Sequence, residues 1–222
     1  MRKVNSFHYI EVDMGKKDLI IVGAGGFGCE AVDVAEGINN SHPEWNILGF
    51  LDDNKEVGSE IFRGYKVIGK INDWQPKDTE YFSLGVSSPQ VKCKLYNLMK
   101  AKGANFATLI APNVYVPKEM IIGEGCTITL AWLGSNVRIG KCVDIRGSMV
   151  GDSTIDDFST TTGFTNIAGA TIGKRVFVGS HAVVLNGVKV GDDAFVCAGS
   201  VVFTKVKPGI KVMGNPAKKM EF

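Results

Sequence analysis

Thr171–Val196 reads TIGKRVFVGSHAVVLNGVKVGDDAFV, and its aliphatic residues fall at multiples of six: Ile172-Gly173, Val178-Gly179, Val190-Gly191, then Val196-Cys197. A period of six is neither the 3.6 of an α-helix nor the two-residue alternation of a hairpin. It fits a parallel β-helix in which each hexad forms one flat side, the aliphatic points inward, and three hexads close a triangular coil. Working outward, the pattern extends back through Val150-Gly151 and Ile139-Gly140 to Ile122-Gly123. The hexad starts Ile122, Ile139, Ile155, Ile172 and Val190 are 17, 16, 17 and 18 residues apart. An ideal coil takes 18, so the register is expected to be regular at the C-terminal end and irregular near Ile155.

Upstream of about Pro112 the texture differs. Asp18–Val22 (DLIIV) reads as a short buried strand running into Gly23-Ala24-Gly25-Gly26-Phe27-Gly28. A helical face follows with Ala31, Val34, Ala35 and Ile38, then a second strand, Ile47–Leu51, ending in Asp52-Asp53-Asn54. Strand, glycine turn, helix, strand and terminal acid form the dinucleotide-fold fingerprint. The glycines let backbone approach a diphosphate, and the helix start offers N–H groups to that anion. Further strands are expected near Tyr65–Ile68 and Tyr81–Val86, with a helix from about Pro89 to Lys102. Asp18 to Ala104 amounts to one mononucleotide-binding half, which argues against a nicotinamide oxidoreductase. Gly23, Gly25, Gly26 and Gly28, with Asp52 and Asp53, are candidate contacts to the nucleotide of a sugar substrate. For the glycines a purely structural turn is the competing reading, and for the two acids a solvated turn.

The domain organisation is read as a polar leader over 1–17, a Rossmann-like nucleotide-sugar-binding domain over 18–104, and a β-helix domain with a C-terminal tail over 105–222. With 25 basic and 23 acidic residues, nothing points to nucleic acid or an anionic membrane. No apolar run reaches the roughly 20 residues of a membrane helix, and the leader lacks the apolar block of a signal peptide. The five cysteines show no CxxC spacing, so they are read as reduced, mostly buried thiols in a cytoplasmic protein without a metal site.

From Asp18 onward the chain resembles the sugar acetyltransferases of the bacterial sialic-acid O-acetyltransferase and bacillosamine-pathway N-acetyltransferase group. The features that carry the resemblance are Gly23–Gly28, the stretch Gly49-Phe50-Leu51-Asp52-Asp53, the hexads, and the closing Val212-Met213-Gly214-Asn215-Pro216-Ala217-Lys218. The resemblance implies a left-handed β-helix, a homotrimer with sites between neighbouring β-helices, and acetyl-CoA lying along the β-helix as acyl donor. It also implies that Gly169 and the backbone at Cys197–Gly199 contact pantetheine, and that Pro216 and Lys218 lie near the adenine. Lys205, Lys207, Lys211, Lys218 and Lys219 make the tail basic, as CoA phosphates or simply a solvated lysine face would require.

One departure bears on mechanism. The family carries Ile-x-His-(Glu/Asp) one hexad before an Ile-Gly pair, where the imidazole acts as general base. Here Ser148–Ile155 reads SMVGDSTI, and Asp152 falls at or beside that position in either register. Of the three histidines, His8 lies in the leader, His42 precedes Pro43, and His181 follows Val178-Gly179-Ser180. Asp152 and His181 are therefore the candidate catalytic residues, Asp152 on condition that burial or a nearby negative charge raises its pKa. A hydroxyl needs a base to attack, whereas a neutral amine already has its lone pair. This favours N-acylation of a nucleotide-linked amino sugar in surface glycan biosynthesis. The alternatives are sugar O-acylation and a catalytically silent trimer that binds nucleotide-sugar or CoA.

Overall fold

The computed structural model describes residues 16–221. The leader reading falls almost wholly on residues 1–15, and His8 with it, outside the described residues. Strand β1 (Lys17–Val22) is fully buried from Leu19 to Val22, as the centre of a sheet must be. It is followed by α1 (Gly26–Ser41), β2 (Trp45–Leu51), β3 (Glu60–Phe62), β4 (Tyr65–Gly69), β5 (Glu80–Leu84), α2 (Pro89–Ala101) and β6 (Asn105–Phe106). The sheet order is β3-β4-β2-β1-β5-β6, parallel except for the β3–β4 hairpin. Chain order therefore reverses at β1, with β2 on one side and β5 on the other. Such a switch point opens a crevice at the carboxyl ends of the strands.

From Leu109 the chain winds into a parallel β-helix of two- and three-residue strands on three flat sides. Ile122, Ile139, Ile155, Ile172 and Val190 stack in register on one side, so the hexad starts form a single column. A second side stacks Leu109–Ile110, Thr127–Thr129, Asp144–Arg146, Thr160–Thr161, Phe177–Val178, Phe195–Val196 and Lys211–Met213. The third carries Trp132–Leu133, Met149–Val150, Val183–Val184 and Val201–Val202, with Asn166 bridging Met149 and Val183. The inward aliphatics join the core of the first domain, from Leu19, Ala31 and Phe50 through Leu109 to Ile128, Ile145 and Val178.

The irregularity expected near Ile155 is present and greatest there, with single five-residue steps also at Ile128–Leu133 and Ile167–Ile172. Five residues, not six, lead from Ile145 to Val150 and again from Val150 to Ile155. Buried hydroxyls line this tight coil. Ser153 Oγ lies within hydrogen-bond distance of the carbonyls of Gly151 (2.7 Å) and Ile167 and accepts the Ala170 N–H at 3.1 Å. Ser159 Oγ donates to Gly173 O at 2.7 Å and accepts from Val176 N at 3.0 Å. At Ser159 an aliphatic would leave the Gly173 carbonyl and the Val176 N–H unpartnered.

The two domains meet where α2 lies on the second flat side. Lys92 and Asp144 form a 2.6 Å ion pair with side chains 1% and 3% exposed. Lys92 Nζ also donates to Ser159 O (3.1 Å) and Thr160 Oγ1 (2.9 Å). Asp144 Oδ1 accepts from Arg146 Nη2 at 3.2 Å, and Arg146 Nη1 pairs with Glu30 of α1.

Replacing Ser159 with alanine should destabilise the protein by about 1–3 kcal/mol, because the buried Val176 N–H and the Gly173 carbonyl lose the hydroxyl that partners them. Chemical denaturation checks this, with the exposed substitution Lys94→Gln in α2 expected to stay within about 0.5 kcal/mol.

Candidate functional site

The crevice at the switch point is built by glycine. Gly23 has φ +104°, and a Cβ there would meet Val86 Cγ1 at 2.7 Å. A Cβ on Gly28 would lie 2.2 Å from Gly23 O, and one on Gly85 2.5 Å from Gly28 Cα. The three glycines thus bring β1, α1 and the end of β5 into backbone contact. Helix α1 begins at Gly26 with Gly25 as N-cap, without a side-chain cap bond and without an acidic residue in its first turn. Its positive end is left to whatever enters the crevice. Helix α2 begins at the same crevice, capped by Ser88 Oγ accepting from Val91 N.

The result is a cleft of about 400 Å³ lined by Gly23–Phe27, Asp52, Gly85–Ser88 and Val91. Asp52 Oδ2 accepts the Ala24 N–H at 2.9 Å while Oδ1 holds the N–H groups of Asn54 (2.8 Å) and Lys55 (3.2 Å), tying the glycine turn to the end of β2. Asp53 is placed elsewhere. Its carboxylate accepts from Ile71 N (2.8 Å), Asn72 N (3.3 Å) and Asn72 Nδ2 (2.7 Å), capping the turn after β4. Of the candidates read from the sequence, Gly23, Gly25, Gly26 and Asp52 line the cleft and Gly28 packs beneath it. The sequence reading missed Phe27 and the Gly85–Val91 wall; the signal available was Ser88-Pro89, an N-cap followed by proline at N1.

On the β-helix, non-glycine residues at positive φ mark the corners. Asp152 (φ +50°) sits on one edge, its N–H donating to Ser135 O at 2.9 Å. The next coils follow on the same edge, with Gly169 N donating to Gly151 O (2.7 Å) and Gly187 N to Gly169 O (2.8 Å). Asp152, Gly169, Trp132, Asn136 and Asn186 line a groove of about 410 Å³. Asp152 is exposed, and no second charged side chain lines this groove, so neither condition set for a carboxylate base is met within one chain.

His181 (φ +61°) occupies the edge across the third flat side. Its exposed ring meets Phe164 edge-on at 5.1 Å, and Gly199 follows on the same edge. The register Met149, Asn166, Val183 puts His181 two coils beyond Asp152, about 10 Å along the axis at the usual strand spacing. Within one chain the two candidates do not meet. Cys197 is half-buried, its Sγ 3.5 Å from Met220 Sδ, and Pro216 and Lys218 are exposed. A cleft of about 410 Å³ near the end of the β-helix is lined by Lys205, Lys207 and Lys219, but not by Lys218.

Among the thiols, Cys126 and Cys142 are buried and Cys29, Cys93 and Cys197 half-buried, all unpaired. Burial pushes the Cys126 thiol up to about 12 and raises Cys142 as well. No helix among the described residues is long and apolar enough to cross a membrane.

Residues 18–99 match the family described as PglD N-terminal domain, and residues 169–204 the hexapeptide repeat of succinyl-transferase. The acetyltransferase domain of PglB from Neisseria gonorrhoeae FA1090, solved with acetyl coenzyme A, is 26% identical with a TM-score of 0.81, over 93% of this chain and 100% of that one. Perosamine N-acetyltransferase from Caulobacter crescentus was solved with CoA and GDP-perosamine as a variant with a histidine changed to asparagine. It is 20% identical with a TM-score of 0.83, over 94% of this chain and 98% of that one. Galactoside O-acetyltransferase from Escherichia coli K12 is 29% identical over 49% of this chain and 51% of its own length. The chain spans about half the length, or less, of the curated relatives it matches. The resemblance to hexapeptide-repeat sugar acetyltransferases is thus borne out on both halves, and with it the fold: a Rossmann-like domain followed by a left-handed β-helix.

Two outcomes follow from the site's construction. Nothing lies within 4 Å of a Cβ on Gly26, so Gly26→Ala should fold with stability within about 0.5 kcal/mol of the parent. Gly28→Ala drives α1 off β1 and should cost several times that, read as thermal midpoints. Because a raised thiol pKa keeps sulfur protonated and unreactive below it, a thiol reagent at pH 8 should label Cys29, Cys93 and Cys197 well before Cys126 or Cys142.

Proposed function

We propose that this chain transfers an acetyl-type acyl group from acetyl-CoA to the amino group of a nucleotide-linked amino sugar used in surface glycan biosynthesis. The observation that carries the reading is the glycine-walled cleft at two helix starts, held against a β-helix of the acetyltransferase fold. The PglB domain, matched over its whole length, holds acetyl coenzyme A, and the perosamine enzyme holds both CoA and a nucleotide sugar with a histidine replaced.

In this reading the α1 start and Gly23, Gly25 and Gly26 hold the diphosphate, while Asp52 keeps the turn in shape. Gly169 and the Cys197–Gly199 backbone offer amide groups to pantetheine on a rigid coil that needs no reordering. Pro216 and Lys218, with Lys205, Lys207 and Lys219 beside them, receive the adenine end and its phosphates. The neutral amine attacks the thioester carbonyl, the tetrahedral adduct expels the CoA thiolate, and the ammonium proton passes to that thiolate or to Asp152.

A homotrimer completes the site. Trp132 and Met149 stand side by side, 58% and 53% exposed, and Phe164 at the adjoining corner is 78% exposed. A row of this kind is covered in an assembly. Threefold packing of the third flat side sets the Asp152 edge of one copy opposite the His181 edge of the next, across a groove that both share. A catalytically silent, ligand-binding trimer is the second reading, favoured by the exposure of Asp152 and its distance from His181.

Calorimetric titration with acetyl-CoA and CoA is the first test, with micromolar affinity near one site per chain expected and no binding up to millimolar concentrations sinking the transferase reading. Given binding, Asp152→Asn should lower turnover of an amino-sugar acceptor about 100-fold while acetyl-CoA affinity stays put. Turnover absent from the parent with every donor, despite nucleotide binding, establishes the silent trimer.

A further inference from the structure

Both helices that open onto the cleft are held in their first turns by side chains of the β-helix, and both holds converge on one carboxylate. In α1, Arg146 lies 3.9 Å from the Phe27 ring, its Nη2 reaches Phe27 O at 3.5 Å, and its Nη1 pairs with Glu30. Phe27 is itself a wall of the cleft. In α2, the first-turn residue Lys92 donates to Asp144 Oδ2 at 2.6 Å and to Thr160 Oγ1 at 2.9 Å. Thr160 Oγ1 in turn donates to the carbonyl of Ser87, another cleft wall, at 3.0 Å. Asp144 therefore binds Lys92 with one oxygen and Arg146 with the other.

Other polar ties also cross the junction among the described residues, including a 3.5 Å approach of Ser83 Oγ to Thr127 Oγ1, and of these only the Gln90 tie is at a helix start. Tyr96 and Lys100 reach Glu124 from the middle and last turn of α2, and Gln90 touches Arg175 O at 3.4 Å from an exposed position. A buried ion pair is a poor source of net stability, since well-packed apolar residues of similar volume often serve as well or better. Its distinguishing property is geometric, because a charged pair tolerates few arrangements. The arrangement here also leaves Arg146 Nε buried without a partner, a cost that apolar packing would have avoided.

We infer that Asp144 is a positioning residue for the nucleotide cleft: through Lys92 and Arg146 it fixes both helix starts relative to the β-helix. The inference rests on reading the cleft as a nucleotide site. It predicts that loosening Asp144 weakens ligands of the cleft and spares those of the β-helix.

The test compares the full chain with Asp144→Asn and with the double variant Lys92→Met/Asp144→Leu, whose apolar pair keeps the volume filled. Amide hydrogen exchange without ligand is read at the first hydrogen-bonded amides of each helix, residues 29–32 and 92–95, with the coil at 183–202 as internal control. Exchange should speed up about tenfold or more at both helix starts and stay unchanged in the control coil. Calorimetry with GDP, UDP and dTDP should show nucleotide affinity lowered about tenfold, with acetyl-CoA affinity within about twofold of the parent. Unchanged exchange at the helix starts in folded variants overturns the inference, as does an equal rise in the control coil, which marks general destabilisation. If the parent binds none of the three nucleotides, the reading of the cleft fails instead, and the exchange pattern alone still decides whether Asp144 holds the two helices.

Discussion

The pairing of Lys92 with Asp144 is the constraint on which the architecture depends. Two bodies built by different rules, an open parallel sheet and a stacked coil, share one apolar core. Apolar contact is non-directional. A 2.6 Å ion pair with both side chains buried is not, and it sets where the sheet's crevice stands along the coil axis. Removing one partner of such a pair strands the other in a medium that cannot solvate it, at about 3–5 kcal/mol. The junction is thus specified more sharply than it is stabilised.

Much of this was legible in the sequence. The hexad column from Ile122 to Val190 and the glycine turn at Gly23–Gly28 are repeating or local patterns, and the structure reproduces both, down to the tight coil before Ile155. The junction was not legible. Lys92, Tyr96 and Met99 share the buried face of α2, but a lysine heading that stripe reads as solvated until its partner, 52 residues away, is known. Asp52 and Asp53 show the same limit. Adjacent in sequence and equal as candidates, they diverge because one carboxylate turns toward the glycine loop and its neighbour toward the Ile71–Asn72 turn.

The corners of the β-helix keep the two candidate catalytic residues apart. The coil places residues that follow one another in sequence on different edges, so Asp152 and His181 are far apart here although each stands at an open corner. In the proposed trimer the chemistry is assembled across edges, each copy supplying one side of the shared groove. The exposed Trp132–Met149 row lies between those edges and gives copies a reason to meet there.

The last coil also bears on what the molecule does not become. A stack of parallel rungs is open-ended, and an unprotected final rung is a template for adding another chain. Here Lys211–Met213 pairs inward with Phe195–Val196 and is closed outward by Lys218–Lys219, running antiparallel and exposing two lysines. At the opposite end α1 packs against the first rung, Leu109–Ile110. On this flat side, reversed polarity with charge at one end and a helix at the other interrupt the parallel stack, so neither end presents a like rung for another chain to extend.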